Sequence, residues 1–308
     1  MNYFLPEKTG DLWWLFSRQT ICVTQNESVL NAANLMQKRN FRHLPVIREP
    51  GQRLAGVLSA QDVVDSLSLA IGPYTTIDEI VKSLEIPLHR IMSLHPIVVE
   101  KGDGLAEVVK KLVAHNIGAL PVVDEMGLIQ GIITLRDLVG LLGTGSEPLG
   151  VKVSELTTRQ LATIDSRSSM ADAVHLMSQN RIRRLPITSN PQVPPAGMIT
   201  NKDILRLLAR ESANNRTGEK DTTPGFKTKI SEVMTRDVIS VDAEDDIRVA
   251  ASRMMIFGIG GLTVLDAAGR MVGLITERDL VKKLVEVRSV SFLVQSMKFE
   301  LELIESAP

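Results

Sequence analysis

The chain has 308 residues, 44% of them apolar, with a formal net charge of −1 at pH 7 and a sequence pI near 6.5. That length exceeds what one compact core usually holds, so two domains of about 150 residues each are expected, and the near-neutral balance argues against a general nucleic-acid binder. A single cysteine, Cys22, excludes an internal disulfide, no apolar run reaches the roughly 18 residues of a membrane span, and MNYFLPEKTG lacks a signal layout, so a soluble, cytoplasmic protein is expected.

Residues 1–16 stand apart, and Trp13 and Trp14 in DLWWLF are a candidate docking anchor for a regulated protein partner. A first unit spans 17–68: a short strand TICV at 20, an apolar helical face of Val29, Ala32, Ala33 and Met36, the phrase NFRHLPVI at 40, and GVLSAQDVV at 56. The second, 88–142, repeats this order with Leu105, Val108, Val109 and Leu112, NIGALPVV at 116, a turn DEMG at 124, and GIITLRDLV at 131. GTGSEPLG at 143 reads as the linker of segment 143–152. The third unit, 153–210, has Met170, Ala173, Val174 and Met177, RIRRLPIT at 181 and GMITNKDIL at 197. The polar run ESANNRTGEKDTTP, inside 211–229, reads as a crossover. The fourth, 230–285, has DVISV at 237, Ile247, Ala250, Ala251 and Met254, GIGGLTVL at 258, and GLITERDLV at 273. The tail, 286–308, alternates charged and apolar residues in MKFELELI and is a second candidate docking segment.

The closing aspartates, Asp62, Asp137, Asp203 and Asp279, are 75, 66 and 76 residues apart. The long spacings fall inside two pairs, so the chain is two copies of a doubled unit. Each unit reads as strand, helix, strand, strand, helix, an α+β (mixed α/β) fold whose uncovered apolar face requires units to pair. Halves 1–145 and 150–308 are expected to fold alone. The repeated T-x-x-D has two compatible readings: a helix cap, or a short carboxylate for a ribose diol beside free backbone N–H groups that favour an anion. His43, His89, His95, His115 and His175 form no metal-ligand set, and no nucleophile or phosphate-loop motif occurs, so neither a metal, a catalytic cofactor nor an enzyme is expected.

The Met/Leu-Ser/Thr start, the helix, the LPVV phrase and the G-h-h-T/S-x-x-D close (h apolar) resemble the cystathionine β-synthase (CBS) domain, four times over. The resemblance implies two Bateman modules packed as a disk, as in the gamma regulatory subunits of AMP-activated protein kinase and four-CBS prokaryotic proteins. It also implies clefts that bind AMP, ADP or ATP, each joining the aspartate of one repeat to the lead strand and hairpin tip of its partner. Asp279, Thr276 and Arg278 would be completed by Thr158, Ala162, Arg183 and Arg184. Asp137, Thr134 and Arg136 would be completed by Ser17, Ile21, Arg42 and His43. Two clefts are expected to be poorer in charge: Asp203, Thr200 and Lys202 facing Thr235, Ile239, Gly260 and Gly261, and Asp62, Ser59 and Gln61 facing Ser93, Ile97, Gly118 and Ala119. Ala162, small where Ile21, Ile97 and Ile239 are large, leaves room for a purine, so the Asp279 cleft ranks first. The function so implied is regulatory, by a monomer or homodimer. The alternatives are a ligand-free scaffold, an S-adenosyl-compound binder, or a nucleic-acid binder, for which the scattered aromatics give little support.

Overall fold

The computed structural model describes residues 20–51, 53–100, 102–144, 147–188, 193–217 and 225–286, so Trp13, Trp14, Ser17 and the tail from 287 lie outside the described residues. Repeat 1 runs β1 (Val23–Thr24), α1 (Val29–Arg39), β2 (His43–Arg48), β3 (Arg53–Ser59) and α2 (Ala60–Ala70), followed by a short α3 (Ile77–Ser83). Repeat 2 runs β4 (Ser93–Leu94), β5 (Val99–Glu100), α4 (Leu105–Ala114), β6 (Ala119–Val123), β7 (Ile129–Thr134) and α5 (Leu135–Thr144). Repeat 3 comprises α6 (Val153–Leu156), α7 (Met170–Asn180), β8 (Arg184–Ile187), β9 (Gly197–Thr200) and α8 (Asn201–Thr217). Repeat 4 comprises α9 (Ile230–Val233), β10 (Ser240–Asp242), α10 (Ile247–Ile256), β11 (Gly261–Leu265), β12 (Met271–Thr276) and α11 (Glu277–Glu286).

Within a repeat the first strand pairs parallel to the second and the second antiparallel to the third; in repeat 3 the first strand shrinks to a bridge between Ile164 and Ile187. Hairpin turns follow from local chemistry. Asp124 Oδ1 accepts from the amides of Met126 and Leu128, and Gly127 takes the positive φ of 76° that closes the turn. The faces foreseen on α1, α4, α7 and α10 are buried, apart from the half-buried Leu105 at the start of α4.

The glycine that opens the G-h-h-T/S phrase has a steric cause in repeats 1, 3 and 4. The lead segment of the partner repeat crosses directly over it: Ser93 and Leu94 pair with Val57 and Gly56, Thr235 bridges Met198, and Thr158 bridges Leu274. A Cβ on Gly56 would lie 2.7 Å from the Ser93 carbonyl oxygen, on Gly197 2.9 Å from that of Thr235, and on Gly273 2.4 Å from that of Thr158. Strands therefore join repeat 1 to 2 and repeat 3 to 4.

Helices join the repeats the other way. One core combines the helices of repeats 1 and 3, the other those of repeats 2 and 4. Each repeat touches one neighbour through strands and another through helices, which closes the four into a ring. Both cores cross the 143–150 segment, so the halves 1–145 and 150–308, expected to fold alone, each carry half of two cores.

Two segments read as connectors begin inside helices. Gly143 belongs to α5, and it is a close-packing glycine rather than a linker glycine: a Cβ there would lie 3.1 Å from the backbone nitrogen of Ser252 on α10. Residues 211–217, read as crossover, continue α8, where Glu211 and Ser212 are buried and Arg210 pairs with Glu211 at 2.8 Å. Their polar character hid a helix that packs on α1 and α3.

Candidate functional site

All four T/S-x-x-D phrases are built alike. The aspartate Oδ2 accepts from the backbone N–H and the hydroxyl of the cap residue, at 2.6 and 2.8 Å for Ser59–Asp62, 2.6 and 2.8 Å for Thr134–Asp137, 2.9 and 2.8 Å for Thr200–Asp203, and 2.8 and 2.6 Å for Thr276–Asp279. The next amide is also engaged. Ala60, Leu135, Asn201 and Glu277 donate to the carbonyls of Arg42, Gly118, Arg183 and Gly260 at 2.9, 3.1, 3.2 and 3.1 Å. The cap amide and the first helical amide of each are thus consumed internally, which leaves only amides further along the first turn for an anion. Each aspartate keeps Oδ1 outside the cap, and that of Asp203 accepts from Arg206 at 3.1 Å.

The hairpin tips of the four repeats converge. Repeats 1 and 3 bring Arg42, His43, Arg183 and Arg184, while repeats 2 and 4 bring glycine, and the two sets interlock. A Cβ on Gly118 would lie 2.9 Å from His43 Nε2 and 3.3 Å from Arg183 Nη1; one on Gly260 would lie 2.5 Å from Arg184 Nη2 and 2.7 Å from Arg42 Nη1. The glycines make room for their neighbours' cations. Arg183 and Arg184, assigned to the Asp279 cleft, thereby reach the glycines expected in the Asp62 and Asp203 clefts, and Arg183 stays within electrostatic range of Arg278.

A pocket of ≈ 190 Å³ opens at the Asp203 cleft. It joins Thr200, Lys202 and Asp203 to Thr235, Ile239, Gly260 and Gly261, the set that the repeat pairing brings together, and its wall also contains Arg42, His43, Arg136, Arg183 and Arg184. The cleft read as poor in charge is therefore rich in it, because its cations come from other repeats and from its own hairpin tip. Of the remaining expected residues, Thr158 reaches the strand that carries Thr276, whereas Arg278 turns to the carbonyl and side-chain oxygens of Asn116. Ala162 packs against the repeat 1 and 3 core. Of the Asp137 set, Arg42 and Arg136 both pair with Glu277, which with Arg136 stays within electrostatic range of Asp137, and Ile21 is half-buried.

Crowding shapes the titration of these groups. Burial pushes His43 down to about 3, with Arg183 and Arg42 adding to it, so its ring is neutral at physiological pH. Burial and then neighbouring guanidiniums lower Arg183 and Arg184 to about 10, and burial lowers Lys202. Burial raises Asp62 and Asp137.

Glu277 escaped the sequence reading. It is 4% exposed and follows the cap threonine, where the other repeats place Ala60, Leu135 and Asn201. Its Oε2 accepts from Arg42 Nη1 at 2.7 Å, and its Oε1 from Arg42 Nη2 at 2.9 Å and Arg136 Nε at 3.1 Å. Burial would raise this carboxyl, but Arg42, Arg136 and Arg184 outweigh it and hold it below its ordinary range. Its signal was available in the aligned repeats: an acid at a position otherwise apolar or amide.

A sequence model of the CBS domain matches residues 11–69, 88–143, 153–210 and 230–286. A 33.4 kDa protein of the ribosomal RNA operon of Thermofilum pendens is 31% identical over 281 residues, covering 90% of this chain and 92% of that one. Protein MJ1225 of Methanocaldococcus jannaschii is 25% identical over 271 residues, covering 86% of this chain and 95% of its own. The crystal structure of MJ1225, put forward as an archaeal homolog of g-AMPK, matches with a TM-score of 0.78 at 24% identity, over 89% of this chain and 99% of that chain. A conserved protein of Pyrococcus horikoshii matches at 0.58 with 20% identity, over 88% and 97%. These two structures share the fold described above.

Proposed function

Because this chain belongs to the CBS-domain family, whose members are regulatory modules, we propose that it is a non-catalytic regulator that binds an adenine nucleotide in the Asp203 cleft and signals adenylate state to a partner. The supporting observation is the meeting, in one pocket, of the Asp203 carboxylate with Arg42, Arg136, Arg183, Arg184 and Lys202. A ribose diol would share Asp203 Oδ1, the purine would lie toward Ile239, Val238 and Met198, and phosphate would meet the guanidinium groups. Those cations distinguish among adenosyl ligands. A sulfonium carries positive charge into a positive pocket, so an S-adenosyl ligand is disfavoured relative to AMP, ADP or ATP. The same cations converge inside a cleft rather than along a stripe, which gives no support to nucleic-acid binding.

Candidate docking segments for the partner are Trp13–Trp14 and the 286–308 tail. Calorimetry with AMP, ADP, ATP, adenosine and S-adenosylmethionine tests the ligand class. At least one nucleotide should bind more tightly than adenosine and be recovered unhydrolysed. No binding and no thermal shift with any of the five would favour the scaffold reading.

A further inference from the structure

Arg42 and Arg136 line the pocket, and Glu277 lies behind them, holding Arg42 at two points and Arg136 at one. Arg136 has a second anchor, the carbonyl of Gly258 at 3.1 Å. The Glu277 carboxylate is thus a fixed negative charge one guanidinium layer from where a phosphate would sit. Its side chain is 5% exposed, so water screens it poorly. Around it Arg42, Arg136, Arg183, Arg184 and Lys202 crowd like charge together, and burial first, then this crowding, lowers Arg183 and Arg184.

We infer that Glu277 is the specificity-determining residue for ligand charge: it fixes Arg42 and Arg136 at the pocket wall while offsetting part of their charge, which favours a ligand of low anionic charge over a triphosphate-class polyanion. The inference rests on the cleft being an anion site, and it deepens the proposed function without depending on the adenosine moiety. The physical reason is that repulsion between a fixed carboxylate and a bound anion grows with the anion's charge. Removing the carboxylate should therefore help a polyanion more than a monophosphate. A residue that only positioned the arginines would, when removed, weaken both alike.

The probes are inorganic phosphate and inorganic tripolyphosphate, titrated calorimetrically into the full chain and into Glu277→Gln, a near-isosteric neutral replacement. Relative to phosphate, tripolyphosphate should bind Glu277→Gln roughly ten-fold tighter than it binds the unaltered chain, about 1.4 kcal/mol. The double variant Arg136→Gln/Glu277→Gln, which restores the net charge, should bring that ratio back toward the original. If Glu277→Gln melts too low for titration, its melting temperature in tripolyphosphate against equimolar phosphate gives the same comparison, because a ligand stabilises the folded chain it binds. A ratio unchanged within two-fold, or a tripolyphosphate-induced melting shift no larger than in the unaltered chain, would overturn the inference. Failure of the nucleotide reading shows differently, as AMP binding no better than phosphate, and leaves this comparison intact.

Discussion

Arg42 and Glu277, 235 positions apart, meet in a two-point ion pair of 2.7 and 2.9 Å that ties the hairpin tip of repeat 1 to the last helix of repeat 4. Arg136 of repeat 2 joins the same carboxylate, and Arg184 of repeat 3 lies beside it against Gly260. All four repeats therefore contribute to one charged hub. The Asp203 cleft is lined by side chains from every repeat, so a ligand bound there would have a means of biasing the whole ring.

Replacing Asp203 should separate ligand binding from helix capping. Losing a carboxylate that accepts ribose hydroxyls should weaken AMP, ADP or ATP by roughly 1.5–3 kcal/mol, or about 10- to 150-fold. Asp279→Ala removes an equivalent cap, at about 1 kcal/mol of stability, yet Arg183 and Arg184 lie against the glycines of the neighbouring clefts. Calorimetry should show the large loss in Asp203→Ala and a small one in Asp279→Ala. The reverse order would restore the ranking drawn from sequence.

Gly260→Ala should injure the hub directly. Its Cβ would lie 2.5 Å from Arg184 Nη2, and 2.7 Å from both Arg42 Nη1 and Glu277 Cδ, so the ion pair must shift to admit it. Overpacking of this kind costs about 1–3 kcal/mol, and urea unfolding should register it together with weaker phosphate binding. Gly102→Ala, where nothing lies within 4 Å, is the control and should change neither.

The repeat phrases made the fold legible, because strand and helix periodicities fix each unit and four registered copies fix the count. The site was half legible. Pairing rules brought Thr200, Asp203, Thr235, Ile239 and Gly260 together, since those contacts run along the backbone of neighbouring strands. The destinations of Arg42, Arg183 and Arg184 were not legible, because long side chains at a four-way junction go where glycines leave room. That choice depends on neighbours more than 60 residues away. Glu211 and Ser212 misled for a different reason: polar residues in a row look like a loop until they are seen to be buried, Glu211 with Arg210 as its partner.

Stability should fall as pH drops below about 6.5, with His43 as a principal cause. The unfolded chain takes up a proton on this imidazole near 6.5, whereas the folded chain refuses it until about 3. The unfolded state binds more protons across that window, so acid favours it. Glu277, held low by Arg42 and Arg136, acts in the same direction at its more acid pKa, while Asp62 and Asp137, raised by burial, act against it at the acid end. The interval from about pH 6.5 to 5.5 isolates the histidine. Denaturant midpoints measured across it should decline in the unaltered chain and flatten in His43→Gln; an equal slope in both would place the proton elsewhere.

Cutting the chain at 143–150 tests the crossed cores. Each half retains its strand-joined pair of repeats, since lead segments cross within the halves, as Ser93 does on Val57 and Thr158 on Leu274. Each half also bares two apolar helical faces. Val63, Val64 and Leu67 of α2 lose Ala173, Val174 and Met177 of α7, and Leu138, Val139 and Leu142 of α5 lose Ile247, Ala250 and Met254 of α10. At roughly 25 cal/mol per Å² of apolar surface, exposing such faces is too costly for a monomer to tolerate. Fragments 1–145 and 150–308, produced separately, should therefore self-associate, and mixed they should form a one-to-one complex that recovers phosphate binding. Sedimentation that finds either fragment monomeric and cooperatively folded would show that the helical cores contribute less than their burial implies.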